Sequence, residues 1–195
     1  MFRGLGMRRG GAPQPGPAGA PEGASQEGTA GELGTRFRVR ERLVAFGDDF
    51  YVEDARGERV FWIDGKALRL RDTLHFKDMQ GHERYRIQEK LVRLRESMTL
   101  YHADGSTAAQ IRKALFTPLR DRYTIEVPGR SDLQTQGSIL YHEYTIEQQG
   151  RPVAQISKRW FRIRDSYGIQ VTPGTIEPLL AIAMAVAIDM MQGRR

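Results

Sequence analysis

The segment PLLAIAMAVAIDMMQ, residues 178–192, constrains the fold more than any other part of the sequence. Leu179–Ile188 is a run of ten consecutive apolar residues, so a helix through it has no polar face. Pro178 suits the first turn of a helix, and Thr175 or Glu177 can cap its start. The sequence therefore predicts one C-terminal helix that must be enclosed by apolar surroundings.

Three environments could enclose such a helix. A transmembrane helix needs about 20 apolar residues, whereas this run ends at Asp189. A helix that lies on a membrane surface needs a polar, basic face, which this one lacks. The third environment is the interior of the protein, where the helix would be roughly 22 Å long and as long as a strand of six or seven residues. We therefore expect the helix to be buried on all sides.

Four stretches upstream share one pattern, in which an apolar-alternating run, a polar turn with glycine and a second run follow each other. The stretches are FYVEDARGERVFWIDGKAL, LHFKDMQGHERYRIQEKLV, TLYHADGSTAAQIRKALF and YTIEQQGRPVAQISKRWF. Gly57, Gly81, Gly105 and Gly129 are spaced by 24 residues. Alternation with a period of two indicates strands with one buried face, and glycine supplies the positive φ of hairpin turns. The pattern predicts about ten to twelve antiparallel strands.

The two predictions combine into one fold class. A closed sheet of ten to twelve strands is too wide for its own side chains to fill. A slim apolar helix on the barrel axis would fill the space, and the alternating alanines at 181, 183, 185 and 187 keep this helix slim. The sequence therefore predicts a mainly β protein, a closed antiparallel barrel of about 12 strands around a central hydrophobic C-terminal α-helix.

The N-terminal 34 residues differ from the rest in composition. They hold ten of the 21 glycines and four of the nine prolines and contain no long apolar run. Such a segment buries too little surface to offset its chain entropy. We predict a disordered Gly/Pro-rich tail at 1–34 and a single barrel domain at 35–195. The tail's three arginines and three glutamates cancel, so the formal net charge of +6 belongs to the predicted domain.

The hairpin stretches, the segment DSYGIQV and the helix LLAIAMAVAIDMM follow each other in an order that resembles the LURP-one-related family. The resemblance spans about residues 35–192. It implies the tubby C-terminal-like fold, with phospholipid scramblases as more distant relatives. Tubby proteins bind phosphoinositides and scramblases are membrane-associated, so the resemblance implies phospholipid binding at the level of the class only. No stretch matches the tubby lipid-binding motif, and the chain has no cysteine for a scramblase-like palmitoylated cluster.

The sharpest charged feature is TRFRVRERL, in which four arginines alternate with other residues and would share one face of a strand. A second basic segment, KRWFRIR, lies near the C-terminus. Together they form a candidate site for a lipid headgroup or another anion, which comprises Arg36, Arg38, Arg40, Arg42, Lys158, Arg159, Arg162 and Arg164. The alternative is a solvated outer face on which arginines pair with acidic residues of adjacent strands. Trp62, Trp160 and Phe161 are predicted to be packing aromatics.

Catalytic and metal-binding motifs are missing from the pattern. The sequence contains no Gly-x-Ser-x-Gly elbow, no phosphate-binding loop and no His-Glu-x-x-His segment. Asp54, Asp78 and Asp104 lie in separate predicted turns and do not form a calcium loop. We therefore predict a protein that is not an enzyme and that has no cofactor or metal, in which these aspartates serve their turns.

Two functions follow from the charge and the resemblance. The first is a non-enzymatic binding module that contacts anionic membrane phospholipid, or an unknown protein partner, through its basic outer face. The alternative is a nucleic-acid-binding or regulatory protein, which the sequence supports less because it has no helix-turn-helix or RNA-recognition motif. The first function implies a cytoplasmic protein that attaches peripherally to a membrane. A third hypothesis is that the barrel is a scaffold and that the N-terminal tail is its flexible tether.

Overall fold

The computed structural model describes residues 35–40, 50–64, 73–92, 95–114, 122–160 and 166–192. The predicted disordered tail at 1–34 lies outside them. The described residues form twelve strands, a 3₁₀ turn and one α-helix. In chain order these are β1 (Arg36–Arg40), β2 (Phe50–Asp54), β3 (Arg59–Asp64), β4 (Thr73–Asp78), β5 (Glu83–Val92), β6 (Arg95–His102), β7 (Thr107–Lys113), β8 (Tyr123–Glu126), β9 (Leu133–Ser138), β10 (Glu143–Gln148), β11 (Arg151–Ser157), the 3₁₀ turn (Lys158–Trp160), β12 (Ser166–Val171) and α1 (Pro178–Gln192).

The strands form a closed antiparallel barrel in which each pairs with its neighbours in the chain. The first and last strands close the ring, with Arg36 opposite Gln170 and Arg40 opposite Ser166. Alternating side chains of each strand point inward, as in β1, where Phe37 and Val39 are buried. The predicted fold class, a twelve-stranded antiparallel barrel with a C-terminal helix, is confirmed.

The helix α1 runs through the interior of this barrel. It contacts β5, β6 and β7 on one side and β12 on the other, and β6 and β12 lie on opposite sides of the ring. Every residue from Leu179 to Ile188 is buried. Each large apolar side chain buried in this way contributes roughly 1.5–3 kcal/mol. The apolar run that has no polar face is therefore the centre of the core, as predicted.

The repeated glycines lie in hairpin turns. Gly57, Gly81, Gly105 and Gly129 all have φ between +77° and +86°, a conformation that glycine adopts without steric cost. The isoleucines six residues after the first three of them are inward-facing and buried. Six residues after Gly129 lies Thr135, whose buried Oγ1 accepts a hydrogen bond from the Tyr123 amide at 2.9 Å. The spacing of 24 residues therefore measures one hairpin plus its connection.

The start of α1 agrees with its prediction in position but not in capping group. The helix begins at Pro178, and the Glu177 carbonyl accepts the first helical hydrogen bond from the Ala181 amide at 3.1 Å. The Glu177 carboxylate, however, accepts hydrogen bonds from Arg84 and from the Tyr85 hydroxyl. The Thr175 hydroxyl donates to the Thr172 carbonyl at 2.6 Å. Neither side chain caps the helix, because each is bonded to the barrel wall or to the preceding turn.

The barrel has two ends that are used repeatedly below. The turn end carries the hairpin turns at residues 55–58, 79–82 and 103–106 and the start of α1. The tip end lies opposite and carries the β9–β10 turn (Ile139–His142), the 3₁₀ turn and the end of α1. The antiparallel order fixes this division, because each strand runs from one end to the other.

Candidate anion-binding face

The alternation of β1 places its arginines on the outer surface of the barrel. Phe37 and Val39 are 4% and 1% exposed and face the core, so Arg36 and Arg38 point outward. The outer surface of β1, β11, β12 and the 3₁₀ turn, with Arg36, Arg38, Lys158 and Arg159, is called the basic face below. This surface contains the predicted site residues whose side chains the structure describes.

Among the described residues, the contacts that hold Arg36 in place include no carboxylate. Its Nη2 donates a hydrogen bond to Gln170 Oε1 on β12 at 2.9 Å, and its guanidinium carbon lies 4.4 Å from the centroid of the Trp160 ring. Its Nε is buried and has no hydrogen-bond partner in the part of the chain that the structure describes. Stacking on an aromatic ring orients a guanidinium and leaves its charge in place. Arg36 is therefore a positioned cation with unused hydrogen-bonding capacity.

The position of Trp160 depends on the neighbouring strand. Tyr167 and Ile169 face the core, so Gly168 between them lies on the outer side of β12. The 3₁₀ turn that follows β11 packs against β12. Trp160 is thus a packing aromatic as predicted, but it packs on the outer surface against Arg36 and not in the core.

Two carboxylates lie beside the other cations of the face. Arg38 forms an ion pair with Glu53 on β2, which is its partner in the strand register. Glu143 on β10 accepts hydrogen bonds from the Ser157 hydroxyl at 3.0 Å and from the Lys158 amide at 3.2 Å. Its Oε1 also lies 3.6 Å from Arg159 Nε. Glu143 therefore fixes the 3₁₀ turn, while the Arg159 side chain remains 84% exposed.

Half of the predicted site can be judged from the structure. Four of the predicted cations are described, with Arg36 and Arg38 on β1 and Lys158 and Arg159 in the turn between β11 and β12, and two carboxylates lie beside them. The backbone of Arg40 is in β1 opposite Ser166, but its side chain is not described. The remaining candidates, Arg42, Arg162 and Arg164, lie outside the described residues.

Other arginines and lysines on the outer surface follow the alternative pattern of cross-strand pairing. Lys77 lies 3.0 Å from Asp64, and Arg112 Nη1 lies 2.9 Å from Glu126 Oε1. Such exposed pairs contribute little to stability. The prediction of a solvated, self-compensated surface therefore holds for these strands, and Arg36 departs from it.

The turn end contains a shallow depression lined by Glu83, Arg84, His102, Asp104 and Ser106. The Asp104 carboxylate accepts hydrogen bonds from the side chain and the amide of Ser106, which lower its pKa. Asp104 is therefore ionised and accepts hydrogen bonds within its own turn, and its lowered pKa does not suit it to transfer protons near neutral pH. The Asp54 carboxylate likewise accepts from two amides of its own turn. Within the described ranges, no three His, Asp or Glu side chains are grouped to hold a metal ion.

Comparison with known proteins places the chain in a family. A family model described as LURP-one-related matches residues 35–189. The chain belongs to the LURP-one-related family. Membership indicates a tubby-like, scramblase-like fold module, and this family and its barrel fold are generally non-enzymatic. The resemblance inferred from the sequence is confirmed.

The barrel of this LURP-one-related chain is similar to a solved structure. An X-ray structure of a protein from Arabidopsis thaliana aligns with a TM-score of 0.60 and 15% identity, over 84% of this chain and 93% of that one. At this level of identity the likeness shows the fold alone. Among curated proteins there is no match. Within the described residues, no helix is long and apolar enough to cross a membrane.

The sequence analysis missed three partners of the basic face. Gln170, Glu53 and Glu143 were not singled out, because each acquires its role from the strand register. One signal was available for Gly168. In SYGIQV the apolar residues alternate with Gly168 and Gln170, and this alternation places both on the outer surface beside β1.

Proposed function

We propose that this protein is a non-catalytic module that attaches peripherally to membranes by binding anionic phospholipid at its basic face. The observation that carries the proposal is Arg36, which is stacked on Trp160, bonded to Gln170 and without a carboxylate among the described residues. A phosphate oxygen satisfies a guanidinium as a carboxylate would, and with the same fork geometry. The Arg159 side chain on the same face, 84% exposed although its Nε lies 3.6 Å from Glu143, adds a second cation.

The fold supports binding at the outer surface. The barrel interior is filled by α1, which leaves the described strands no lumen for a substrate. The same burial argues against recognition of nucleic acid by a helix, since the only helix of the described ranges cannot enter a groove. A cation close to an acidic bilayer contributes roughly 1 kcal/mol, so a face with several cations is sufficient for reversible attachment.

The test is vesicle co-sedimentation of the full chain with neutral and with acidic phospholipid at several salt concentrations. Arg36→Gln combined with Arg159→Ala removes two charges from the basic face. Loss of about 2 kcal/mol, or roughly thirtyfold in affinity, is expected for acidic vesicles. Binding should also weaken as salt is raised.

The matched control is Arg130→Ala combined with Arg151→Ala. Both arginines are exposed and lie at the turn end, so this variant loses the same net charge from another surface. It should bind acidic vesicles nearly as well as the native chain. An equal loss in both variants would show that only net charge matters, and equal binding to neutral vesicles would remove the proposal altogether. Urea unfolding of both variants checks that the barrel is intact.

A further inference from the structure

The β9–β10 turn exposes two large apolar side chains next to each other. Leu140 is 68% exposed and Tyr141 is 67% exposed, and they are the two most exposed large apolar side chains among the described residues. Single exposed apolar residues are common on soluble proteins, but contiguous ones at a protrusion mark contact with a partner or a membrane. The pair Leu140–Tyr141 is called the apolar tip below.

The apolar tip is held rigidly from both sides. Ile139 before it is 4% exposed and His142 after it is 6% exposed, and the His142 amide donates to the Ile139 carbonyl at 2.9 Å. The His142 ring stacks on Tyr167, with centroids 4.6 Å apart. Its Nε2 lies 3.0 Å from Asp189 Oδ1 near the end of α1. The fold therefore anchors the turn in the core and directs the two residues between its anchors outward.

Two exposed cations lie at the same end of the barrel as the apolar tip. Ser138, Glu143 and Ser157 lie opposite each other on β9, β10 and β11, so the tip and the 3₁₀ turn both begin where this row ends. Arg159, in the 3₁₀ turn, is therefore at the same end of the barrel as the tip. The second cation is the exposed Arg122, which precedes β8, the strand that pairs with β9. An apolar pair with exposed cations at the same end of the barrel has the composition of a surface that enters the interface of an anionic bilayer.

We propose that the apolar tip is the part of the barrel that enters the membrane. The proposal rests on the function proposed above and adds to it an orientation, in which the tip end faces the bilayer. Leu140 and Tyr141 would lie at the level of the headgroups and the first acyl carbons, where a tyrosine ring keeps its hydroxyl in water. Arg159 and Arg122 would remain in the plane of the lipid phosphates.

The experiment uses the absence of cysteine from the chain. Leu140→Cys introduces a single thiol that can carry an environment-sensitive fluorophore, and Met79→Cys places the same label in a turn at the opposite end. Met79 is also an exposed apolar turn residue, at 44%. Acidic phosphatidylserine-containing vesicles should shift the emission of the label at 140 to the blue and increase it, and should leave the label at 79 unchanged. Co-sedimentation of the same samples reports binding.

A second variant tests the contribution to affinity. Leu140→Ser combined with Tyr141→Ser should weaken binding to acidic vesicles by about tenfold, whereas Met79→Ser should change it little. Both tip residues are exposed, so thermal unfolding should be unaffected.

The outcomes separate the two proposals. Binding of the native chain without an emission change at 140 would overturn the inserted tip and leave the lipid-binding face standing. An equal emission change at 79 and 140 would overturn the orientation. No binding to any vesicle would overturn the proposed function and the tip together, and the apolar pair would then be a site for a protein.

Discussion

The two ends of the barrel differ in the side chains that their turns expose to solvent. At the turn end, two of the described charged groups are held by local contacts, namely the Asp54 carboxylate within its own turn and Arg84 in an ion pair with Glu177 at 2.8 Å. At the tip end, the β9–β10 turn leaves two apolar side chains in solvent, and Arg159 is 84% exposed. The two ends therefore differ most in exposed apolar surface, which is largest at Leu140 and Tyr141 of the tip end.

This difference distinguishes a structural surface from a functional one. Turns with Asp and Gly satisfy their own backbone groups and need no partner. The exposed Leu–Tyr pair buries little of its surface in the hairpin, which its neighbours Ile139 and His142 anchor in the core. Since such exposure has a cost in solubility, the tip end is where selection for a partner is expected to act.

The strongest test removes the element that joins the two ends. Val186→Asp places a carboxylate at a fully buried position in the middle of α1. An aspartate buried there without a partner costs several kcal/mol whether it stays charged or is neutralised by a raised pKa, and the lost valine packing adds to this against a stability of roughly 5–15 kcal/mol. The variant should not fold, as judged by circular dichroism and by the loss of a cooperative melting transition. The control is Gln192→Asp at the half-buried end of the helix, which should melt cooperatively. A soluble Val186→Asp variant with a normal melt would contradict the central helix.

An intermediate loss of stability is expected from substituting one glycine at each end of the barrel. Gly137, in β9 below the tip, has φ +121°, and an added Cβ would lie 2.6 Å from the Glu143 carbonyl oxygen. Gly57, at the turn end, has φ +82° and open space around it. Gly137→Ala should destabilise by about 3 kcal/mol or more, and Gly57→Ala by about 1–2 kcal/mol. Urea unfolding measures both, and equal costs would show that the tip hairpin is not tightly packed.

The smallest effect concerns two tyrosines at opposite ends. Burial and the hydrogen bond to Glu177 raise the pKa of Tyr85, and burial and the Asp189 charge raise the pKa of Tyr144. Each keeps its proton in the folded protein at pH values where the unfolded chain loses it, near pH 10. Stability is therefore fully present below pH 10 and falls above it.

Above pH 10, each buried tyrosine contributes a decrease of the unfolding free energy with pH whose slope corresponds to about one proton. Tyr85→Phe and Tyr144→Phe should each remove that contribution. Tyr51→Phe, at an exposed position, serves as the control. An unchanged alkaline slope in both buried variants would show that neither tyrosine responds to its surroundings as described.

The fold was predictable because its two strongest signals are local and agree with each other. The apolar run of α1 requires enclosure on all sides, and glycines spaced by 24 residues require hairpins of a fixed length. The sheet encloses a helix that has no polar face, and the helix fills a barrel that is too wide for the strand side chains to fill. Only one arrangement satisfies both.

The sites were less predictable, for physical reasons that differ between them. The alternation of TRFRVRERL was enough to place Arg36 and Arg38 outside, but the Trp160 stack depends on how the 3₁₀ turn packs on β12. The β9–β10 turn that carries the apolar tip gave no turn signal, since its residues Ile139–His142 include no Gly, Asn or Pro. The positive φ of 49° there belongs to His142, a residue type that rarely indicates a turn.

The place of α1 in the chain has a consequence for biosynthesis. The helix that fills the barrel follows all twelve strands, and the strand that closes the ring, β1, is made first and pairs with β12, the last strand made. A nascent chain shorter than about residue 178 therefore has hairpins but no core. Domains that fold from the N-terminus during synthesis acquire their stability progressively, whereas this one should acquire it in a single late step. Until then its apolar strand faces have no central helix to pack against.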